Sequence, residues 1–115
     1  MSITRQNVGT LMSSAVIHGN TVYLQGLTGD DASADIKGQT RSVLEKIDAR
    51  LAEAGSDKSK LLSAMIWVVD IAERDAMNEV WVDWIDPKNP PVRACVEAKL
   101  ARPDLRVEIM VVAAL

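Results

Sequence analysis

The spacing of apolar residues predicts two amphipathic helices. Between Ile36 and Ala54 the apolar positions recur every three or four residues, and Gly55 follows as a residue that can end a helix in the left-handed conformation. The same period returns between Glu73 and Ile85, before a proline-rich run that ends the pattern. The predicted apolar face of this second helix, expected in the core or at a subunit contact, consists of Met77, Val80, Trp81 and Trp84.

Shorter runs of β-branched and aliphatic residues predict strands on either side of these helices. The first two runs are separated by His18-Gly19-Asn20, which is typical of an exposed hairpin turn, and Leu27 to Ala34 predicts a loop. The run from Leu61 to Val69 is apolar at odd and even positions alike, which predicts a strand buried on both faces. The predicted strands are Met12–Ile17, Thr21–Leu24, Leu61–Val69, Val92–Leu100 and Val107–Ala114, with a further one around Ile3 to Arg5.

The order of these elements predicts a single α+β domain over residues 1–115. The segment from Leu61 to Leu100 should form a right-handed parallel crossover, in a mixed β-sheet with two helices packed on one face. Two helices leave the other face of the sheet uncovered, although its strands are apolar on that side too. We therefore expect a homo-oligomer in which the sheets of different copies pack against each other.

Composition and charge narrow the function classes. The chain has 115 residues, of which 48% are hydrophobic and 25% charged, as in ordinary globular domains. Its net charge of -3 and pI near 5.1 offer no basic surface, so no nucleic-acid partner is predicted. A single cysteine excludes a disulfide within the chain and a cysteine-based metal cluster, and with only one histidine no metal site is predicted. No apolar run matches a membrane span or a signal peptide, which predicts a cytoplasmic protein without a membrane partner.

One arginine and one glutamate lie within runs that otherwise predict buried strands. Arg93 occurs in Pro91–Glu97, and Glu108 occurs in Leu105–Ile109. Removing an unpaired guanidinium from water costs free energy, and its planar donors match the carboxylate of a ligand. The carboxylate of a glutamate near that ligand can position a water or accept a proton. The two residues predict a site for a small carboxylate-bearing molecule. The alternative is structural: Arg93 forms an ion pair across a subunit interface, with Glu108 as its counter-ion.

The same residues carry a resemblance to a known family. The string from Pro91 to Ala101, followed after five residues by Val107-Glu108-Ile109, resembles the signature of the reactive intermediate deaminase (Rid, or YjgF) family. The resemblance extends over essentially the whole chain and includes the strand end Tyr23-Leu24-Gln25-Gly26 and Asn78 of the second helix. It implies a chorismate-mutase-like subunit that assembles as a homotrimer with clefts between subunits.

The resemblance also implies a chemistry and roles for individual residues. The family hydrolyses enamines and imines such as 2-aminoacrylate to 2-keto acids and ammonia, and needs no cofactor. Arg93 falls on the arginine that holds the carboxylate of the substrate, and Glu108 on the glutamate that positions the attacking water. Cys95 falls on a cysteine near the pocket, and Asn78 on a recurrent helix asparagine. Residue by residue, Cys95 is otherwise interpreted as a small buried hydrophobe rather than a nucleophile.

Two segments depart from the common family pattern and keep other functions open. Gly9 to Ser14 contains no tyrosine, and Gln25 stands where the deaminases often have serine. Gly26 marks a strand end that a ligand can approach closely, and Gln25 can donate a hydrogen bond there. One alternative is a non-catalytic trimer that binds or senses a small carboxylate. A third is an endoribonuclease, against which the acidic pI argues.

Overall fold

One mixed sheet of seven strands carries the two helices in the computed structural model, which describes residues 2–115. The elements are β1 (Ile3–Gln6), β2 (Ala15–His18), β3 (Thr21–Leu24), β4 (Leu27–Thr28), α1 (Ile36–Ala54), β5 (Leu61–Val68), α2 (Arg74–Trp84), β6 (Val92–Glu97) and β7 (Val107–Ala114). The strands follow the order β1-β2-β3-β7-β5-β6, and β4 also pairs with β7. Short 3-10 turns at Lys58–Lys60 and Ile71–Glu73 precede β5 and α2.

Helix α1 has the limits that its sequence predicts. The side chain of Asp35 accepts a hydrogen bond from the backbone N–H of Gly38 at 2.9 Å, which satisfies a free donor of the first turn. At the other end Gly55 has a φ of 86°, the left-handed conformation that a glycine adopts without steric cost. The predicted apolar face is buried, with Ile36, Thr40, Val43, Leu44, Ile47 and Leu51 against the sheet or α2.

The sheet confirms the predicted α+β architecture. Strands β5 and β6 run parallel, with Ala64 opposite Arg93, and β7 lies antiparallel on the other side of β5. Both helices cover the same face, where Ile66, Val107 and Ile109 are fully buried. Neither helix in residues 2–115 combines the length and the hydrophobicity that a membrane span requires.

Several strand limits differ from the sequence-based prediction. The second strand begins at Ala15 rather than at Met12, because a turn in which the N–H of Gly9 donates to the carbonyl of Met12 at 2.8 Å occupies the preceding residues. The segment predicted as a loop begins with the two-residue strand β4, since Leu27 and Thr28 pair with β7. The strand predicted to reach Leu100 ends three residues earlier, and the additional N-terminal strand is present as β1.

The prediction that β5 is buried on both faces is wrong for the single chain. Its residues alternate: Ala64, Ile66 and Val68 are buried beneath the helices, whereas Met65 is 39% exposed on the opposite side. We call that opposite side the open face. Its partly or largely exposed apolar side chains include Tyr23, Met65, Trp67, Val96, Met110 and Val112. The structure therefore leaves uncovered the apolar sheet face that the sequence predicts.

A fully buried amide connects helix α1 to two loops. The side chain of Gln39 donates to the carbonyls of Ala32, Ala34 and Asp104, at 3.1 to 3.3 Å. Its oxygen accepts a hydrogen bond from the backbone N–H of Arg106 at 2.8 Å. The amide thus fixes the segment before α1 against the segment that leads into β7, the strand that carries Glu108.

Candidate functional site

Arg93 lies on the helix-covered side of β6 and is fixed by two residues of α2. Its Nη1 donates to Oδ1 of Asn78 at 2.8 Å, and its guanidinium carbon is 5.3 Å from the ring centroid of Trp81. Asn78 and Trp81 are three residues apart on the helix, so both project toward the same strand. Arg93 forms no ion pair with an acid anywhere in residues 2–115.

The environment of Arg93 differs from the buried strand that its sequence predicts. Strand β6 is the edge of the sheet, and in the single chain Arg93 is exposed together with Val92 and Ala94. The apolar character of the strand therefore reflects a surface that another element can cover, and not an interior already formed within one chain. The guanidinium keeps Nε and Nη2 without a hydrogen-bond partner among the described residues.

Cys95 lies on the same side of β6, two residues beyond Arg93 and opposite Ile66 of β5. It is half-buried and packs against the core. Burial raises the pKa of its thiol above the ordinary value, although the positive charges of Arg93 and Arg74 act in the opposite direction. A raised pKa keeps the sulfur protonated at neutral pH, which suits a packing role better than a nucleophilic one.

Glu108 and Gly26 form a second group of site residues at another place on the sheet. Glu108 lies in β7 opposite Trp67 of β5 and Thr28 of β4, and it alternates with the fully buried Val107 and Ile109. Its side chain is therefore on the open face. A Cβ added to Gly26 would lie 3.2 Å from Cδ of Glu108, so the carboxylate occupies the space that the glycine leaves free.

Gln25 connects this second group to the turn between β1 and β2. Its backbone N–H donates to the carbonyl of Ser14 at 3.0 Å, and its side chain is half-buried. The turn exposes Leu11, which is 89% accessible, and Met12, which is 56% accessible. The segment in which the sequence lacks the expected tyrosine thus adjoins Gln25 and Gly26.

The structure separates the predicted site residues into two groups. Arg93, Asn78 and Cys95 lie together on the helix-covered side of β6 and α2. Glu108 and Gly26 lie together on the open face, beyond β5. A single chain therefore does not bring Arg93 and Glu108 to one ligand, and Glu108 is not the counter-ion of Arg93 in the same chain. Among residues 2–115 no group of histidine, cysteine and acidic side chains has the arrangement of a metal site.

Sequence reasoning missed Trp81 as part of the site. Its helical spacing predicts a residue of the core or of a subunit contact, and the structure buries it to 6% exposure. One face of its ring nevertheless lies beneath Arg93. The available signal was its position three residues after Asn78, which places both on one helix face.

Comparison with known proteins agrees with the fold and with the family resemblance. A family model described as Endoribonuclease L-PSP matches residues 5–115. The RutC family protein YoaB of Escherichia coli is 40% identical over 114 residues, covering 99% of each chain. A protein of Acinetobacter baylyi named 3-aminoacrylate deaminase RutC is 34% identical over 100 residues, which cover 82% of this chain and 79% of that protein.

Solved structures extend the similarity to three dimensions. A crystal structure of a YjgF-family protein from Neisseria meningitidis is 39% identical and covers 99% of this chain and 95% of its own, with a TM-score of 0.96. Similarity of sequence and of backbone thus extends over nearly the same residues. Because the family model and these relatives match nearly the whole length of the chain, the chain belongs to the RutC/YjgF family, whose sequence model carries the description Endoribonuclease L-PSP.

Proposed function

We propose that the protein is a cytoplasmic deaminase that hydrolyses 2-imino acids and their enamine tautomers, of the 2-aminoacrylate type, to 2-keto acids and ammonia without a cofactor. The observation that carries the proposal is the guanidinium of Arg93, which Asn78 and Trp81 orient while no acid in residues 2–115 neutralises it. The similarity to a protein named 3-aminoacrylate deaminase supports the same chemistry.

Arg93 binds the carboxylate of the substrate in this proposal. Asn78 occupies Nη1, so Nε and Nη2 present a parallel pair of donors that matches the two oxygens of a carboxylate. Such a two-bond contact fixes the plane of the planar imino acid and thereby the position of its C2 atom. Orientation of this kind lowers the barrier of the following step.

Glu108 positions the water that attacks C2. The water oxygen bonds to C2, the C=N π electrons move to nitrogen, and the carboxylate accepts the proton of the water. The protonated Glu108 returns this proton to the nitrogen of the carbinolamine, and the C–N bond breaks with release of ammonia. The hydroxyl proton then passes to solvent, which leaves the carbonyl of the 2-keto acid and the free carboxylate of Glu108. Because an iminium carbon is already electrophilic, general-base help of about 10²–10⁴-fold is sufficient.

The site is shared between subunits in this proposal. Arg93 and Glu108 of one chain lie on opposite sides of the sheet, so a ligand reaches both only where two copies meet. The open face offers an apolar surface for that contact, with a shallow hollow of about 390 Å³ over β5. Met65, Met110 and Val112 line it. An exposed apolar surface of this kind is typical of subunit contacts, and we place the clefts in a homotrimer, as the family resemblance implies.

The decisive experiment adds the purified protein to a threonine dehydratase reaction and follows the first seconds of 2-keto acid release. We expect faster release, and we expect Glu108→Gln to lose the acceleration while Glu45→Gln, which changes an exposed acid of α1, keeps it. Absence of acceleration with the imines of several amino acids contradicts the proposal.

A non-catalytic carboxylate-binding trimer is the second candidate. One observation favours it: Arg93, Asn78 and Trp81 are complete within one chain, whereas the residues for water activation lie elsewhere. A ligand that binds only the native state raises the melting temperature by mass action. Stabilisation by pyruvate without any turnover of imines identifies this function instead of the deaminase.

A further inference from the structure

We propose that Trp81 is a positioning residue for Arg93, and that its indole ring sets the plane in which the guanidinium receives a carboxylate. The inference extends the proposed function, since it concerns how the carboxylate-binding group is oriented. It rests on the position of the Arg93 guanidinium over the ring of Trp81 in the structure.

Trp81 provides a rigid support. It is 6% exposed and belongs to the core, and its ring lies 5.4 Å from that of Trp84, with 53° between the two planes. Arg93 lacks such support from its own strand, because it projects from an exposed edge strand. A long side chain in that position samples many rotamers unless a neighbour restricts it. The tryptophan thus restricts a side chain that its own strand leaves free.

Two contacts define the orientation of the guanidinium. The 5.3 Å distance from the guanidinium carbon to the ring centroid is within the range of a cation–π interaction, for which tryptophan is the best aromatic partner. The hydrogen bond from Nη1 to Asn78 at 2.8 Å fixes rotation within that plane. Together they direct the Nε and Nη2 edge of the guanidinium away from α2. This edge can donate two parallel hydrogen bonds to a carboxylate.

The neighbour of the Arg93 guanidinium on α2 is an uncharged aromatic ring and not an acid. An acid at position 81 would neutralise Arg93 and compete with the ligand, whereas the ring attracts the charge and leaves its donors available. Trp81 therefore contributes orientation without occupying the bonds that the ligand needs. We expect its loss to weaken binding of carboxylates and to leave binding of uncharged analogues nearly unchanged.

The test compares Trp81→Leu, Trp81→Phe and Trp84→Leu. Trp84→Leu is the matched control, because it removes a large ring of the same helix that does not lie on Arg93. We expect Trp81→Leu to weaken pyruvate binding about two- to fivefold in calorimetry. Trp81→Phe should restore most of the affinity, and pyruvamide should show no comparable difference.

A second measurement depends on geometry alone. In the unaltered protein the δ-methylene protons of Arg93 should show an upfield ring-current shift by NMR, which Trp81→Leu removes and Trp84→Leu retains. Absence of this shift overturns the inference, even if Trp81→Leu does not fold. Unchanged pyruvate affinity in Trp81→Leu overturns it too, and leaves the proposed function intact where Arg93→Lys still weakens binding. Unchanged pyruvate affinity in Arg93→Lys contradicts the proposed function itself.

Discussion

The carboxylate of Glu108 occupies the space that a side chain at position 26 would fill. A Cβ on Gly26 would lie 3.2 Å from Cδ of Glu108 and closer still to one carboxylate oxygen. The two residues belong to different segments, one between β3 and β4 and the other in β7. Gly26 therefore determines where this carboxylate can lie, and the glycine is required by a neighbouring side chain, since its φ is not positive.

Gly26→Ala should displace Glu108 and slow imine hydrolysis. A misplacement of about 1 Å in a reacting group can cost about 10²-fold in rate, and we expect a loss in kcat of that order. Binding of pyruvate should persist, because its carboxylate is held by the guanidinium of Arg93, which Gly26→Ala does not alter. The control is the double variant Gly26→Ala with Glu108→Gln, which should be no slower than Glu108→Gln alone. Additive losses would show that Gly26 acts through something other than Glu108.

Replacing Arg93 with lysine should weaken carboxylate binding although the charge is retained. Lysine lacks the parallel donors of the guanidinium, and hydrogen bonds to charged groups contribute enough that we expect about 10- to 100-fold weaker pyruvate binding. Titration calorimetry measures this. Arg74→Lys is the matched control. Arg74 is an exposed arginine near β6, and it forms its ion pair with Asp75. An equal loss in both variants would indicate a general charge effect.

Cys95→Ser should keep most of the deaminase activity. The thiol has a pKa raised by burial, so little thiolate is present at neutral pH. For the same reason iodoacetamide should modify Cys95 of the native protein more slowly than free cysteine at pH 7. The rate should increase only as the pH rises above the ordinary thiol range. Rapid alkylation at pH 7, or loss of activity in Cys95→Ser, would restore a nucleophilic role.

Gln39→Leu should destabilise the fold without changing the site chemistry. The substitution leaves the N–H of Arg106 and three carbonyls without their amide partner in a buried position. We expect the free energy of unfolding to fall by about 2–3 kcal/mol. Urea unfolding followed by circular dichroism measures the change. Ser42→Ala is the control, because it removes only the exposed hydrogen bond that the backbone N–H of Asp30 donates to the Ser42 hydroxyl. It should leave the midpoint of urea unfolding nearly unchanged.

Charge on the open face should disrupt assembly. Met110 is 40% exposed at the centre of this face, and Met110→Glu would place a carboxylate in the proposed subunit contact. Sedimentation velocity should show a trimer for the unaltered protein and smaller species for the variant. Val82→Glu is the control, because Val82 is 67% exposed on α2 and not on the sheet. A mass of one chain for the unaltered protein at micromolar concentration would contradict the proposed assembly.

The elements that follow local rules were predictable from sequence. Helix α1 has a regular apolar period and a glycine at its end, and both features are present in the structure, which adds the cap by Asp35. The parallel pair of β5 and β6 follows from the intervening helix, whose length requires a crossover. These predictions depend on residues close together in the chain.

The relation between the site residues was not predictable in the same way. Whether Arg93 and Glu108 share a face depends on the register of β6 and β7 against β5, which involves residues far apart in sequence. The contact between Arg93 and Trp81 was not predictable for a similar reason. The period of α2 indicates that Trp81 is buried, but it does not indicate which residue of another element covers its ring. Strand β4 has only two residues, too few for any alternation to appear.

The opposite orientation of Arg93 and Glu108 has a consequence for cells that produce two versions of this chain. A version defective at position 93 still supplies an intact glutamate, and one defective at position 108 still supplies an intact arginine. Mixed oligomers of the two would contain some clefts in which both functional residues meet. Two alleles, each inactive alone, would then complement each other, because in the proposed shared site each copy supplies only one of the two residues.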